Sequence, residues 1–133
     1  KAHQFLTFTT PPNLQVAAAF GLGKDEDYFL RMRTDFARSR DRLDAGLRGA
    51  GFVTLPSQGT YFLNIDLPAS GIHTDDRSFC LRAVAEAGVA AVPVSAFYLQ
   101  EPVTHIVRLC FAKRDETLDA GIERLSAARR LFN

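Results

Sequence analysis

One apolar stretch near the end of this 133-residue chain constrains its fold more than any other. It runs from Ile106 to Ala112 and stops at a charged turn that contains Asp115. A run of β-branched and apolar residues of this length predicts a buried strand, and Asp115 is the predicted N-cap of a following helix. A buried strand needs a sheet around it and other elements to cover that sheet. The stretch therefore predicts a layered structure for this part of the chain.

Arg108 lies in the middle of the predicted strand, on the same side as Ile106 and Cys110, because strand side chains alternate with a period of two. A guanidinium inside an apolar strand needs a partner, since an unpaired buried charge is costly. Its planar fork suits a carboxylate held by two parallel hydrogen bonds. Spacing alone favours a plainer interpretation, either a structural salt bridge or an edge-strand arginine whose head reaches water.

The composition argues against several classes of function. Sixteen basic and fifteen acidic residues give a net charge of +1, which offers no electrostatic basis for binding nucleic acid or a membrane surface. No apolar run approaches the length of a transmembrane helix. His3, His73 and His105 lack metal-ligand spacing, so no metal site is expected. Cys80 and Cys110 are isolated in apolar contexts, which predicts reduced core residues and a cytoplasmic protein.

Periodicity predicts the element order helix, helix, strand, strand, helix, strand, strand, helix. Thr74 is the predicted cap of the third helix, with Val84 on its apolar face and Gly88 at its end. The predicted fold class is α+β, a small mixed or antiparallel sheet with helices packed mainly on one face. The predicted helices cover residues 14–22, 25–50, 75–87 and 116–131, and the predicted strands cover residues 52–55, 60–66, 89–92 and 105–112.

Four blocks of sequence carry a specific signal when they are taken together, namely His3–Phe8, Gln58–Leu63, Val92–Tyr98 and Ile106–Lys113 with Asp115–Leu118. In this order they resemble the fold-type I pyridoxal-phosphate-dependent aminotransferases, in particular the kynurenine, glutamine and methionine aminotransferases. No single block is specific, but their order along nearly the whole chain is. The resemblance implies that this chain is the C-terminal part of such an α/β enzyme. Residues 1–30 would be the tail of the large cofactor domain and the start of the connecting helix, and residues 31–133 the small domain.

The resemblance implies a substrate-binding role for three residues. Arg108 occupies the position of the arginine that clamps the α-carboxylate of the substrate. Tyr61 occupies the position of an aromatic residue in the substrate pocket, although on general grounds it is a core residue. Phe8 occupies the position of an aromatic residue that reaches across a dimer interface, whereas its composition alone makes it core filler. Pyridoxal 5'-phosphate as cofactor and a homodimer are implied in the same way.

The sequence lacks a recognisable attachment site for that cofactor. Its three lysines, Lys1, Lys24 and Lys113, lie outside any motif like that of the family's cofactor lysine. We therefore expect the chain, which begins without Met, to be a fragment with no catalytic residue that supplies the substrate clamp. The intact enzyme would transfer an amino group from an L-amino acid to a 2-oxo acid, and Phe97 and Tyr98 suit a methionine, glutamine or aromatic substrate.

Two alternatives remain open at the level of the sequence. One is an α+β module without catalysis that binds a ligand or a protein, since superfolds of this kind host many functions. The other is a pyridoxal-phosphate-dependent C–S lyase of the same fold, which would share the carboxylate arginine.

Overall fold

The computed structural model describes residues 2–3 and 9–132. It separates into two units, Lys1–Thr34 and Asp35–Asn133, and the division falls inside a long helix. Their assignment to a large and a small domain stays a prediction. The described elements follow the predicted order. They are α1 Pro12–Leu22, α2 Glu26–Gly49, β1 Val53–Leu55, β2 Phe62–Asp66, α3 Asp76–Ala87, β3 Val92–Pro93, β4 Ile106–Cys110 and α4 Asp115–Arg129, with 3-10 turns at Val94–Phe97 and Arg130–Phe132.

The first unit contains α1 and the beginning of α2. Pro12 is the first residue of α1, a position that tolerates proline because its missing N–H would have no helical partner. The helix ends at Gly23, whose backbone N–H donates to the Ala19 carbonyl at 3.0 Å. None of the residues of α1 is buried within the described structure.

The second unit is built on one four-stranded sheet with the strand order β1-β2-β4-β3. All three strand pairings are antiparallel, and β4 lies inside the sheet between β2 and β3. Directly paired residues project from the same face of an antiparallel sheet. The register therefore places four side chains in one row across the sheet, namely Leu55, Asn64, Arg108 and Val92.

The core lies on the other face of this sheet. Leu63 and Ile65 of β2 and Val107 and Leu109 of β4 point to that face and are buried. Three helices cover it with apolar residues, which confirms the predicted α+β fold with helices mainly on one face. The helical residues of this core are Leu43 and Leu47 of α2, Phe79, Cys80 and Ala83 of α3, and Leu118, Leu125 and Ala128 of α4.

The end of α3 and its cysteine agree with the sequence. Gly88 caps the helix in a left-handed conformation, with φ of 66°, which favours glycine. Burial raises the pKa of the Cys80 thiol to about 12. At neutral pH Cys80 therefore stays protonated and packs as a small apolar residue.

Two predictions for α3 are wrong. Its N-cap is Asp75 rather than Thr74, because the Asp75 carboxylate accepts a hydrogen bond of 2.9 Å from the backbone N–H of Ser78. Asp is preferred over Thr as an N-cap residue, so the residue types themselves favour the observed cap, and the predicted cap lies one residue too early. Val84 is 53% exposed, because the core-facing stripe of α3 is narrower than the periodicity suggests.

The predicted start of the last helix also needs correction. The N-cap of α4 is Arg114, without a capping hydrogen bond from its side chain, and Asp115 is already helical. The Asp115 carboxylate instead accepts a hydrogen bond of 2.7 Å from Arg38 of α2. An ion pair between helices thus replaces the local cap that the sequence predicted.

We predict that Asp75→Ala lowers the free energy of unfolding of the chain by about 1 kcal/mol, because α3 loses its N-cap. The measurement is denaturant unfolding at neutral pH. Thr74→Ala is the matched control and should change that free energy by less than about 0.5 kcal/mol. Equal losses in the two variants would contradict the assignment of the cap.

The difference in stability between the wild type and Asp75→Ala should also depend on pH. The hydrogen bonds from Ser78 lower the pKa of the Asp75 carboxyl in the folded chain. A lowered pKa stabilises the fold at pH values above the unfolded-state pKa, and this contribution is lost as the pH falls through the folded-state value. The stability difference between the wild type and Asp75→Ala should therefore shrink below about pH 4.

Candidate functional site

A cavity of about 440 Å³ lies beside Arg108, on the sheet face opposite the helices. Its walls come from β2, from β4 and from the turn that joins β1 to β2. The described residues that line it include no lysine and no acidic residue. They are Pro56, Ser57, Gln58, Gly59, Thr60, Phe62, Asn64 and Arg108.

Arg108 forms no hydrogen bond or ion pair with any residue that the structure describes, and its Nε is buried without a partner. A guanidinium offers five N–H donors, so this is unusual for a side chain that is only half exposed. The other half-buried arginines of the described chain all donate to oxygen: Arg40 to Asp41 at 2.8 Å, Arg82 to Glu86 at 2.7 Å and Arg129 to the Ser70 carbonyl at 2.8 Å. The donors of Arg108 are thus left for an acceptor from outside these residues.

Two aromatic rings hold the guanidinium of Arg108 in place. Its Cζ lies 5.0 Å from the ring centroid of Phe62 on β2 and 4.8 Å from that of Phe97 in the turn after β3. A cation over the face of a ring is attracted by the ring quadrupole, and this attraction does not occupy the in-plane N–H donors. The arginine is therefore oriented while its hydrogen-bonding capacity is retained.

The turn that closes one side of the cavity has a constrained backbone. Thr60 adopts φ of 59°, in the left-handed region that β-branched residues avoid. Its Oγ1 accepts a hydrogen bond of 3.2 Å from the Phe62 N–H, and the Ser57 hydroxyl donates to the Phe62 carbonyl at 2.9 Å. Backbone strain of this kind is concentrated at functional sites. Here the two hydrogen bonds hold the strained turn beside the cavity that Arg108 lines.

Asn64 adds a second unsatisfied polar group to the same place. It is the residue directly opposite Arg108 in the register, and its Oδ1 is buried without a partner among the described residues. Buried polar atoms in folded proteins are almost always paired, and an exception calls for an explanation. Two such atoms on paired residues that line one cavity make this place a candidate binding site.

The structure separates the three residues that the sequence proposed. Arg108 lines the cavity, whereas Tyr61 lies outside the lining, is 47% exposed and places its ring centroid 4.3 Å from that of Phe62. Phe8 lies outside the described residues. The plainer interpretation of Arg108 as an edge-strand residue is wrong, because β4 is an inner strand. The structural salt bridge has no acidic partner within the described chain.

Sequence reasoning missed Phe62 and Asn64 as members of the site. The signal for them was present, since the period of two in the predicted strand 60–66 puts Tyr61, Leu63 and Ile65 on one face and Phe62 and Asn64 on the other. Alternation does not give the register between strands that are distant in sequence. Only the pairing of β2 with β4 brings these two residues beside Arg108.

A larger cavity of about 860 Å³ lies elsewhere, between the second half of α2 and the start of α4. Its Arg38 is already paired with Asp115 at 2.7 Å, and none of the described residues that line it carries a buried polar side-chain atom without a hydrogen-bond partner. We therefore regard the smaller cavity as the candidate site, because the Arg108 that lines it has no hydrogen-bond or ion-pair partner among the described residues. Within residues 2–3 and 9–132, no group of three or more His, Cys, Asp or Glu side chains could hold a metal ion. None of the described helices combines the length and apolar character that a bilayer crossing requires.

Comparisons with known proteins place this chain among related sequences and structures. Residues 1–125 match the family model described as "Aminotransferase class I and II". The chain is 40% identical to the methionine aminotransferase of Escherichia coli (strain K12), over 94% of this chain and 32% of that protein. It is 30% identical to human kynurenine–oxoglutarate transaminase 1, over 92% of this chain and 34% of that protein.

The fold of this chain also matches that of a solved aminotransferase structure. The N-succinyldiaminopimelate aminotransferase from Mycobacterium tuberculosis matches with a TM-score of 0.82 and 40% identity, over 94% of this chain and 33% of that chain. This chain thus spans about a third of the length of the relatives that it matches.

We predict that Arg108→Met changes the free energy of unfolding by no more than about 1 kcal/mol, because the lost cation–π contacts are offset by removal of an unpaired charge. Denaturant unfolding of the chain is the measurement. Arg129→Met is the matched control and should lose about 1–3 kcal/mol, since it leaves the buried Ser70 carbonyl without its donor. A loss of about 3–5 kcal/mol for Arg108→Met would mean that Arg108 serves a structural ion pair.

Proposed function

The chain belongs to the class I and II aminotransferase family, and we propose that it is the C-terminal third of a pyridoxal-phosphate-dependent aminotransferase. In this proposal the intact enzyme transfers an amino group from an L-amino acid to a 2-oxo acid. Arg108 binds the α-carboxylate of both substrates. The observation that supports this most strongly is the guanidinium itself, which is half-buried, oriented by two rings and unpaired among the described residues.

The chemistry of transamination suits a single clamp of this kind. The amino acid and the 2-oxo acid differ at Cα but share the α-carboxylate, so one arginine recognises both. Two parallel N–H···O bonds from a guanidinium fix the plane of a carboxylate as well as its position. The clamp thereby sets the orientation of the bonds at Cα, where a proton is removed or added during the reaction.

Pyridoxal phosphate supplies the electron sink for such reactions when it is bound. The described residues of this chain do not fit its attachment. Lys24 is exposed, with its Nζ 4.1 Å from the ring centroid of Phe20, and Lys113 is exposed and does not line the cavity beside Arg108. The proposal therefore gives this chain the binding and orientation of substrate and assigns it no catalytic residue.

Tyr61 and Phe8 are further residues of the proposed pocket. The ring of Tyr61 contacts that of Phe62, which in turn contacts the Arg108 guanidinium, so Tyr61 can act on the site through Phe62. The placement of Phe8 across a homodimer interface rests on the family resemblance alone. The same holds for the division into a large domain and a small one near residue 30.

The proposed substrates are amino acids with a large side chain, of the methionine, glutamine or aromatic type. This is supported by the exposed aromatic side chains of Phe97 and Tyr98 in the turn beside Arg108. Relatives that match this chain include a methionine aminotransferase and a kynurenine transaminase. A cytoplasmic location is also proposed, with the free Cys80 and Cys110 as its support.

We predict that Arg108→Ala, introduced into the intact aminotransferase, lowers kcat/KM roughly 30-fold or more. This corresponds to a loss of about 2–5 kcal/mol in transition-state binding. The loss follows from leaving the substrate carboxylate without its partner. Steady-state transamination between methionine or phenylalanine and a 2-oxo acid is the measurement. Cofactor absorbance should stay unchanged, since Arg108 is assigned to the substrate.

Two further variants sharpen this test. Arg108→Lys should recover only part of the loss, because an ammonium cannot form the two parallel bonds. Arg33→Ala removes an exposed arginine of α2 and should leave kcat/KM within about twofold of the wild type. Near-native efficiency in Arg108→Ala would refute the clamp. Release of thiol and ammonia from a cysteine conjugate, without amino-group transfer, would favour the C–S lyase alternative instead.

A further inference from the structure

A buried carboxylate, Asp76, contacts the turn that carries Phe97, one of the two rings against Arg108. Asp76, the first residue of α3, is fully buried, and its two carboxylate oxygens accept hydrogen bonds from one residue, Ser95. The Ser95 backbone N–H donates to Oδ2 at 2.7 Å, and the Ser95 hydroxyl donates to Oδ1 at 2.8 Å. The Asp76 backbone N–H donates to the Thr104 carbonyl at 2.7 Å. Asp76 has no cationic partner among residues 9–132.

Holding a turn with a buried carboxylate that has no cationic partner is unfavourable in free energy. Removing it from water is unfavourable, and the positive end of α3 offsets only part of that cost. The two hydrogen bonds fix the position of Ser95, because one comes from its backbone N–H and the other from its side-chain hydroxyl. The carbonyl of Ser95 is held as well, since it accepts from the Tyr98 N–H at 3.2 Å.

The turn that contains Ser95 carries one of the two rings against Arg108. Ser95 lies within the 3-10 turn Val94–Phe97, and the Phe97 ring centroid is 4.8 Å from the Arg108 guanidinium. Phe97 is 63% exposed, so little packing from the core fixes its ring. Its position therefore depends on the turn, and the position of the turn depends on the bonds from Ser95 to Asp76.

We propose that Asp76 is a positioning residue for substrate binding. By holding Ser95 it sets the Phe97 ring against Arg108, and the ring sets the direction from which the guanidinium meets a carboxylate. In this proposal Asp76 positions Ser95, the turn with Ser95 positions Phe97, and Phe97 positions Arg108. This inference rests on the proposed function, because it assigns the arrangement to the clamp on the α-carboxylate.

The test uses the intact aminotransferase and two readouts that follow carboxylate binding. One is KM for the amino acid. The other is the inhibition constant of 3-phenylpropanoate, a carboxylate that has no amino or oxo group and cannot react. Asp76→Ala should raise both roughly 3- to 30-fold, the range that corresponds to the loss of one cation–π contact, while kcat changes less.

The conservative variant should restore most of the binding. In Asp76→Asn the amide oxygen can accept from the Ser95 N–H, and the amide nitrogen can donate to the Ser95 hydroxyl, which accepts as well as donates. We expect KM and the inhibition constant within roughly threefold of the wild type. Ser95→Ala keeps the backbone bond to Asp76 and should give an intermediate increase, which provides a readout if Asp76→Ala does not fold.

Asp75→Ala is the matched control for a purely structural effect. It removes the neighbouring carboxylate and destabilises the same helix, but it has no bond to Ser95. Its melting temperature should fall while KM and the inhibition constant stay at the wild-type values. If Asp76→Ala or Ser95→Ala behaved in the same way, the inference would be overturned.

A double-mutant cycle tests the route through the ring. Phe97→Ala alone should raise the inhibition constant, and adding Asp76→Ala should raise it by less than about twofold more, because the ring that Asp76 positions is gone. A full additional effect in the Phe97→Ala background would contradict the proposed order. Arg108→Ala in the same assay separates the two proposals. No increase in that variant refutes the carboxylate clamp, whereas an increase there with none in the Asp76 variants refutes only the role of Asp76.

Discussion

The pairing of β2 with β4 is the contact on which the rest of the second unit depends. One register places Leu63 and Ile65 beside Val107 and Leu109 on the face that the helices cover, and it places Asn64 beside Arg108 on the other face. A slip by one residue would exchange the two faces of β2. The core and the site are therefore specified by the same set of backbone hydrogen bonds, and neither can be moved without the other.

An unpaired guanidinium in an inner strand is unfavourable for folding. The two ring contacts offset part of this cost, since each cation–π contact contributes roughly 0.5–2 kcal/mol. The constrained turn at Thr60 adds a further local cost on the same side of the sheet. The open donors of Arg108 have a physical explanation if a bound carboxylate completes the site, because that ligand accepts the hydrogen bonds that the described residues do not. Asp76 behind the Phe97 turn fits the same account, as a buried charge used to fix geometry.

The sequence predicted the order of elements because that order depends on local periodicity, and the same periodicity marks much of the core of this unit. Leu43 and Leu47 recur at helical spacing and Val107 and Leu109 at strand spacing, and all four are buried. It placed the N-cap of α3 one residue too early, at Thr74 instead of Asp75, and it missed the distant partner of Asp115, which is Arg38. Arg108 was found because it breaks the apolar pattern. Phe62, Asn64 and the link from Asp76 to Ser95 depend on register and on contacts across the fold, which periodicity does not contain.

The most direct measurement is a crystal structure of the intact aminotransferase with bound 3-phenylpropanoate. Our account predicts that its carboxylate lies in the plane of the Arg108 guanidinium, with two N···O distances of about 2.7–2.9 Å. It also predicts that the Phe62 and Phe97 rings keep their positions against the guanidinium. A structure in which Arg108 is paired with an acidic side chain of the protein, while the ligand carboxylate binds elsewhere, would contradict the central claim.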